Sequence, residues 1–230
     1  MSVCANRQGR YRSGMNEKTQ RISKYESTAV PAKVVEGNPP LDLFSPFGPL
    51  IGRTKVPGFL IDHLNEHADG VLAGRTGGAE FLLSPDVTDS GGDDSLGNFL
   101  AQEIARYVGS VDERAVESVS FESFWCVSQP ENTASPMHFH SSAVSGVLYL
   151  KVPQVDEAQR EKNYISGRRA GFITFLSGGK RSLDKSVISF EPVVGDLYLF
   201  PGWLLHGVEP FDGPGERRSV AFNADVHVPQ

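Results

Sequence analysis

Cysteine is almost missing from this chain of 230 residues, where Cys4 and Cys126 are the only two. Two thiols build neither a disulfide scaffold nor a cysteine-based zinc module, so the fold must rest on a hydrophobic core. Long apolar runs are missing as well. No stretch approaches the ~18 consecutive apolar residues of a membrane-spanning helix, and the N-terminal segment lacks the roughly 7–15-residue apolar stretch of a secretory signal. Net positive charge is also absent. Lys and Arg number 22 against 28 Asp and Glu, a balance of −6, whereas a nucleic-acid-binding domain carries a concentrated positive field. The composition therefore points to a small or neutral partner, with no nucleic acid and no membrane. The low cysteine content makes a reducing compartment, the cytoplasm, the default. The sequence leaves the oligomeric state open, a homodimer being one option.

What is present reads as one globular domain, because 39% hydrophobic and 22% charged residues are enough for a core and too balanced for disorder. The charge is uneven. Residues 1–33 hold seven basic residues against Glu17 and Glu26, a balance of +5 that leaves −11 for the remainder. This Arg/Ser-rich tail faintly resembles an organellar presequence, the alternatives being a start at Met15 or a plain disordered tail. Pro39-Pro40 then marks a change to apolar sequence. The expected division is a basic, disordered tail over 1–40 and a folded domain over 41–230.

Within the domain, Leu60, Leu64, Ala68 and Val71 recur near the 3.6-residue period and predict a helix over Gly58–Gly70. Leu100, Ile104 and Val108 predict another over Leu96–Val108, with a Gly/Ser/Asp-rich loop between the two. After about Ser118 the pattern becomes short apolar or alternating runs: Val119–Val127, Val144–Val152, Phe172–Leu176, Val187–Phe190, Asp196–Phe200 and Ser219–Ala224. These predict strands. Their separators, including the charged stretches Asp156–Arg169 and Ser177–Lys185, hold no helical pattern that could build parallel βαβ units. The expected fold is mainly β, an antiparallel sandwich or jelly roll over about 119–224, with the N-terminal helices packed outside it.

Histidine is scarce, with six residues in the chain, and its placement is informative. His138 and His140 form an H-x-H pair beside a strand, and residues i and i+2 of an extended chain face the same way. His206 follows the strand Asp196–Phe200 and the turn Pro201-Gly202-Trp203, so a sandwich can bring it to the pair as a third imidazole. Such a set suits Zn, Cu, Fe or Ni. A competing pattern is His63-Leu64-Asn65-Glu66-His67, an H-x-x-E-H sequence in which two helical histidines bind zinc and the Glu acts as base. It sits on one short amphipathic helix, whose polar face is already explained by solvation. His227 has no evident partner.

The company of the H-x-H pair carries more weight than the pair itself. Trp125, then His138-Phe139-His140, then Ser145-Gly146-Val147-Leu148-Tyr149-Leu150-Lys151-Val152-Pro153, then Val194-Gly195-Asp196-Leu197-Tyr198-Leu199-Phe200-Pro201, then Trp203-Leu204-Leu205-His206-Gly207-Val208-Glu209-Pro210, and finally Arg217-Arg218-Ser219-Val220-Ala221-Phe222-Asn223 follow in order. This succession resembles a family of iron(II)/2-oxoglutarate-dependent oxygenases. The resemblance covers residues 119–224, with Leu43-Phe44 similar to the start of such domains.

The resemblance implies a double-stranded β-helix, a cupin-like jelly roll whose mouth holds Fe(II), with 2-oxoglutarate and O2 as cosubstrates of a hydroxylase acting on a small-molecule or protein side-chain substrate. It implies metal ligation by His138, His140 and His206, and binding of the distal 2-oxoglutarate carboxylate by Arg217, helped by Ser219 and Tyr149. Ser219 shares a strand face with Arg217, whereas Arg218 points the other way and is expected in solvent. Trp203, Phe139 and Trp125 are expected as pocket walls or core. In the usual triad an Asp or Glu stands two residues after the first His; here His140 occupies that place, as it commonly does in this branch. Ser128 and Asn132 stand where relatives tend to carry Asn and Gly, in a segment expected to border the substrate pocket. Two rival functions remain at this point: a non-catalytic cupin-like metal-binding module, which has no need of a carboxylate clamp at Arg217, and a zinc hydrolase working through His63 and His67.

Overall fold

Pro57 ends an extended segment, and the chain turns directly into helix α1 (Gly58–Leu72), whose buried Leu60, Ile61, Leu64 and Ala68 form one stripe. The computed structural model describes residues 39–44, 48–112, 114–154, 171–178 and 186–229, together with the backbone of Val30–Pro31. The rest of the expected tail and the charged separators over 155–170 and 179–185 lie outside the described residues. A second long helix, α3 (Leu96–Asp112), starts where the Ser95 hydroxyl accepts the Asn98 N–H at 3.3 Å, an N-cap that satisfies one orphan donor. Its buried residues include Phe99, Leu100, Ile104, Tyr107 and Val108. Among the described residues no helix is long and apolar enough to cross a membrane.

Between the helices the expected loop is partly ordered, which corrects the sequence reading. It holds strand β4 (Ala79–Leu82), the single turn α2 (Pro85–Thr88) and a 3-10 turn at Gly92–Asp94. Four residues around one alternation carry too little period to be seen in sequence; β4 exists because its backbone pairs with β5 (Ser118–Gln129).

The fold is a jelly roll of two antiparallel sheets. The larger runs in the order β1 (Val30–Pro31), β5, β12 (Arg217–His227), β7 (Val144–Lys151), β10 (Asp196–Pro201), β3 (Ile51–Lys55) and β2 (Asp42–Phe44), with β4 also on β5. The smaller is β6 (Ser135–His138), β11 (Leu205–Val208), β8 (Ile173–Leu176) and β9 (Val187–Phe190). All six predicted strands are present; β2, β3, β6 and β11, like β4, were not anticipated. β1 pairs its backbone with β5 from within the segment expected to be tail.

Alternation along β7 explains the layering. Leu148 and Leu150 join the core beneath α1 and α3, whereas Val147 and Tyr149 join Ile51, Ile173, Phe175, Tyr198 and Phe200 between the sheets. A strand buried on both faces reads as a continuous apolar run, as β7 does. Gly146 fits the same layering, since the Phe222 ring lies 2.2 Å from where a Cβ would stand. The helices thus cover one face of the large sheet, and the small sheet covers the other. The gap between the sheets holds the candidate site.

Candidate functional site

β6 and β11 are neighbours in the small sheet, and their register sets His138 directly opposite His206. His140 lies just beyond β6, tied down by a 2.8 Å hydrogen bond from its N–H to the Gly202 carbonyl in the turn before β11. That turn needs glycine, because a Cβ at Gly202 would come within 2.1 Å of the Ser142 carbonyl oxygen. The three imidazoles converge. Ring centroids are 4.4 Å apart for His138 and His206, 5.1 Å for His138 and His140, and 5.3 Å for His140 and His206. One ligand nitrogen from each lies within 4.8 Å of the others, and among the described residues this is the one group of three or more metal-ligating side chains so gathered.

Hydrogen bonding selects the tautomers. His138 Nδ1 lies 2.7 Å from the Pro136 carbonyl and His206 Nδ1 lies 2.8 Å from the Leu204 carbonyl. A carbonyl only accepts, so each Nδ1 carries the proton and each Nε2 keeps its lone pair. Burial, and then the neighbouring His138, lower the pKa of His140 below the usual imidazole range. Burial drives His206 down to about 4, against the bond to Leu204. These shifts favour neutral imidazoles, the form that ligates a cation. Imidazole nitrogens hold a transition metal at about 2.0–2.1 Å, so two ligands of one ion stand about 3–4 Å apart, a spacing this cluster can meet with small side-chain adjustments. The donor set therefore fits a borderline divalent metal such as Fe(II).

The opposite wall of the same cavity belongs to the large sheet. Arg217, at 2% exposure, lies across from Gln129 of β5. Its guanidinium donates to Gln129 Oε1 and, at 3.2 Å, to the Tyr149 hydroxyl, and its carbon stands 5.0 Å above the centre of the Tyr149 ring. Nε of Arg217 is buried without a hydrogen-bond partner. An unsatisfied buried donor costs about 1–3 kcal/mol, so it marks where an acceptor belongs. Ser219 and Trp125 complete the walls of a cavity of about 350 Å³ shared by the three histidines and Arg217.

Several expectations need revision. Tyr149 is buried behind Arg217 and does not line the cavity; burial raises its pKa, so its hydroxyl stays protonated and meets the guanidinium. Arg218 does point away from Arg217, but it is not in solvent. At 2% exposure it is held by Glu216 at 2.7 Å, Asp69 at 2.8 Å and Asn65 at 3.0 Å, so partners from α1 and the preceding loop replace its water. Phe139 and Trp203 neither line the cavity nor enter the core, being 64% and 58% exposed. Trp125 does line it, with its ring 6.0 Å from that of His140. Ser128 is buried against Glu216 at 2.7 Å, and Asn132 adopts a left-handed φ of 58°; neither reaches the cavity, whereas Ser135 and Pro136 do. His63 contacts the Ser90 hydroxyl at 3.2 Å and His67 packs on Phe81, and they belong to no group of three metal ligands among the described residues. His227 has a partner after all, Ser120 Oγ at 2.9 Å. Gln129 and the carbonyls of Pro136 and Leu204 carried no sequence signal, because their roles depend on register between distant strands.

Residues 123–223 match the family described as "Putative 2OG-Fe(II) oxygenase". Among solved structures the chain is similar to HygX from Streptomyces hygroscopicus with nickel and 2-oxoglutarate bound, at 13% identity and a TM-score of 0.51 over 78% of this chain and 83% of that one. It is equally similar in fold to AviO1 from Streptomyces viridochromogenes Tue57, at 12% identity and a TM-score of 0.50 over 78% and 91%. These likenesses establish the fold. Among curated protein sequences none matches the chain significantly.

Proposed function

We propose that this chain, whose residues 123–223 match the 2OG-Fe(II) oxygenase family, uses Fe(II), 2-oxoglutarate and O2 to hydroxylate a C–H bond of an organic substrate with release of succinate and CO2. The observation that carries this reading is that one cavity holds both a three-histidine cluster and a buried arginine with a free N–H. The active domain spans 41–230, and its metal ligands are His138, His140 and His206.

Bound there, the iron supplies the oxidative chemistry that couples decarboxylation of 2-oxoglutarate to oxidation of the substrate. The chain's own groups bind, orient and shield. The Pro136 and Leu204 carbonyls hold two imidazoles in the tautomer that offers Nε2, a backing that makes the ligand nitrogen more basic. Arg217 receives the distal carboxylate of 2-oxoglutarate through Nε and its terminal nitrogens, a fork matched to a carboxylate. Gln129 and Tyr149 keep the fork flat and aimed. Ser219 adds a hydroxyl on the same strand face, and Trp125 and Val127 keep that wall apolar and dry.

Anaerobic reconstitution with Fe(II) followed by exposure to air tests the reading. The parent chain is expected to convert 2-oxoglutarate to succinate slowly even without substrate, and His206→Ala is expected to lose that turnover with its iron. Iron content and succinate formation unchanged in His206→Ala would overturn it.

A further inference from the structure

With Arg217 committed to the cosubstrate, the cavity keeps one other charged group. Glu80 lies on β4, the short strand that pairs only with β5, in register with Val127. Residues directly paired in an antiparallel ladder point to the same face, so Glu80 joins Val127 and Ser219 in one cross-strand row on the cavity side. One pair along, Leu82 lies opposite Trp125 and Trp125 opposite Ala221. Glu80 and Trp125 thus sit on adjacent rows of one wall, and both line the cavity that holds the histidines. Strand spacing of about 4.8 Å puts the Glu80 backbone about 10 Å from that of Ser219, at the solvent-facing end.

The Glu80 carboxylate has no hydrogen-bond or ion-pair partner among the described residues. Other acids near the site are engaged: Glu122 accepts from Ser142 at 3.0 Å, and Asp225 accepts the Ala143 N–H at 2.9 Å. Glu80 thus stands at the mouth of the cavity beside the indole of Trp125, with no cation paired to it among the described residues.

We infer that Glu80 is a specificity-determining residue that selects a substrate carrying an ammonium or guanidinium group, with Trp125 covering the adjoining part of the cation. A carboxylate supplies the charge-assisted acceptor, and a tryptophan face attracts a cation placed over it. Leu82, exposed on the same face, covers an apolar stem. This inference rests on the oxygenase reading, since that reading commits Arg217 to the cosubstrate and leaves Glu80 to the substrate.

The test is calorimetric titration of the full chain, loaded with Fe(II) and 2-oxoglutarate under anaerobic conditions. The probes are cadaverine, agmatine, neutral N,N′-diacetylcadaverine, and a capped heptapeptide with one central lysine. At least one cationic probe is expected to bind, the free amines or the peptide taking the lead according to the substrate's source, and diacetylcadaverine is expected to fail. Glu80→Gln should weaken that binding at least tenfold, the loss expected for a charge-assisted contact, and Glu80→Lys should abolish it. Affinity for 2-oxoglutarate and Tm should stay at the parent's values in both variants. Failure of every cationic probe, equal binding by the neutral one, or binding indifferent to Glu80→Gln would overturn the inference. If amines bound through Glu80 while 2-oxoglutarate did not bind at all, the oxygenase reading would fall and Glu80 would stand as a cation site.

Discussion

His138 and His206 face one another across the β6–β11 ladder with ring centroids 4.4 Å apart, and each Nδ1 meets the carbonyl of the residue two positions before it. The same local device therefore prepares both sides of the cluster. With Nδ1 of both rings engaged, Nε2 is the nitrogen each has left to offer, in a cluster whose ligand atoms lie within 4.8 Å of one another.

Removing either of these histidines should remove the metal. His138→Ala and His206→Ala are each expected to lower iron content from about one per chain to a small fraction after anaerobic reconstitution, measured by metal analysis, because two remaining imidazoles form a weaker chelate. The double variant His63→Ala/His67→Ala is expected to retain full iron, and loss of metal there would revive the zinc-hydrolase alternative.

His140 should respond differently to two substitutions. His140→Asp restores an oxygen donor at the usual triad position and is expected to keep iron and some succinate production, whereas His140→Ala leaves that position to water and should lose much of both. Parent-like behaviour of His140→Ala in both measurements would make His140 a pocket residue, not a ligand.

The two adjacent arginines should separate function from stability. Arg217→Ala is expected to weaken 2-oxoglutarate binding at least tenfold, from the loss of a charge-assisted hydrogen bond. Arg218→Ala should leave that affinity intact yet destabilise the fold by about 2 kcal/mol, because it removes a buried guanidinium together with its bonds to Glu216, Asp69 and Asn65, leaving only Lys151 beside the two carboxylates. Calorimetry with 2-oxoglutarate and thermal unfolding distinguish the two, and exchanged effects would mean that the strand is out of register by one residue.

Gly202→Ala should damage the metal site from a distance. The added methyl meets the Ser142 carbonyl, and relieving that overlap moves the loop whose Gly202 oxygen holds His140. A stability loss of about 1–3 kcal/mol is expected, together with weakened iron binding at temperatures where the variant remains folded.

Cys126 should be chemically silent. Burial pushes its thiol up to about 12, and since the thiolate is the reactive form, iodoacetamide at pH 8 should leave Cys126 unmodified in the native chain. Peptide mapping should find it alkylated only after denaturation.

Sequence alone determined the fold class and most of the histidine cluster. Apolar runs and period-2 alternation mark β5, β7, β8, β9, β10 and β12 because a strand's faces are written into neighbouring residues, and the same period places His138 and His140 on one side. Parity also separates Arg217 from Arg218. Tertiary structure decided everything that depends on partners distant in the chain. β3 and β4 are strands because β10 and β5 supply their hydrogen bonds, and Arg218 is buried because α1 brings Asp69 and Asn65 to it. Tyr149 supports Arg217 without lining the cavity, since β7 and β12 are adjacent in the large sheet. Glu80 passed for part of a polar loop until its pairing with Val127 set it at the mouth of the cavity. Local periodicity records which way a side chain points; what it meets there depends on strand register, which no short stretch of sequence contains.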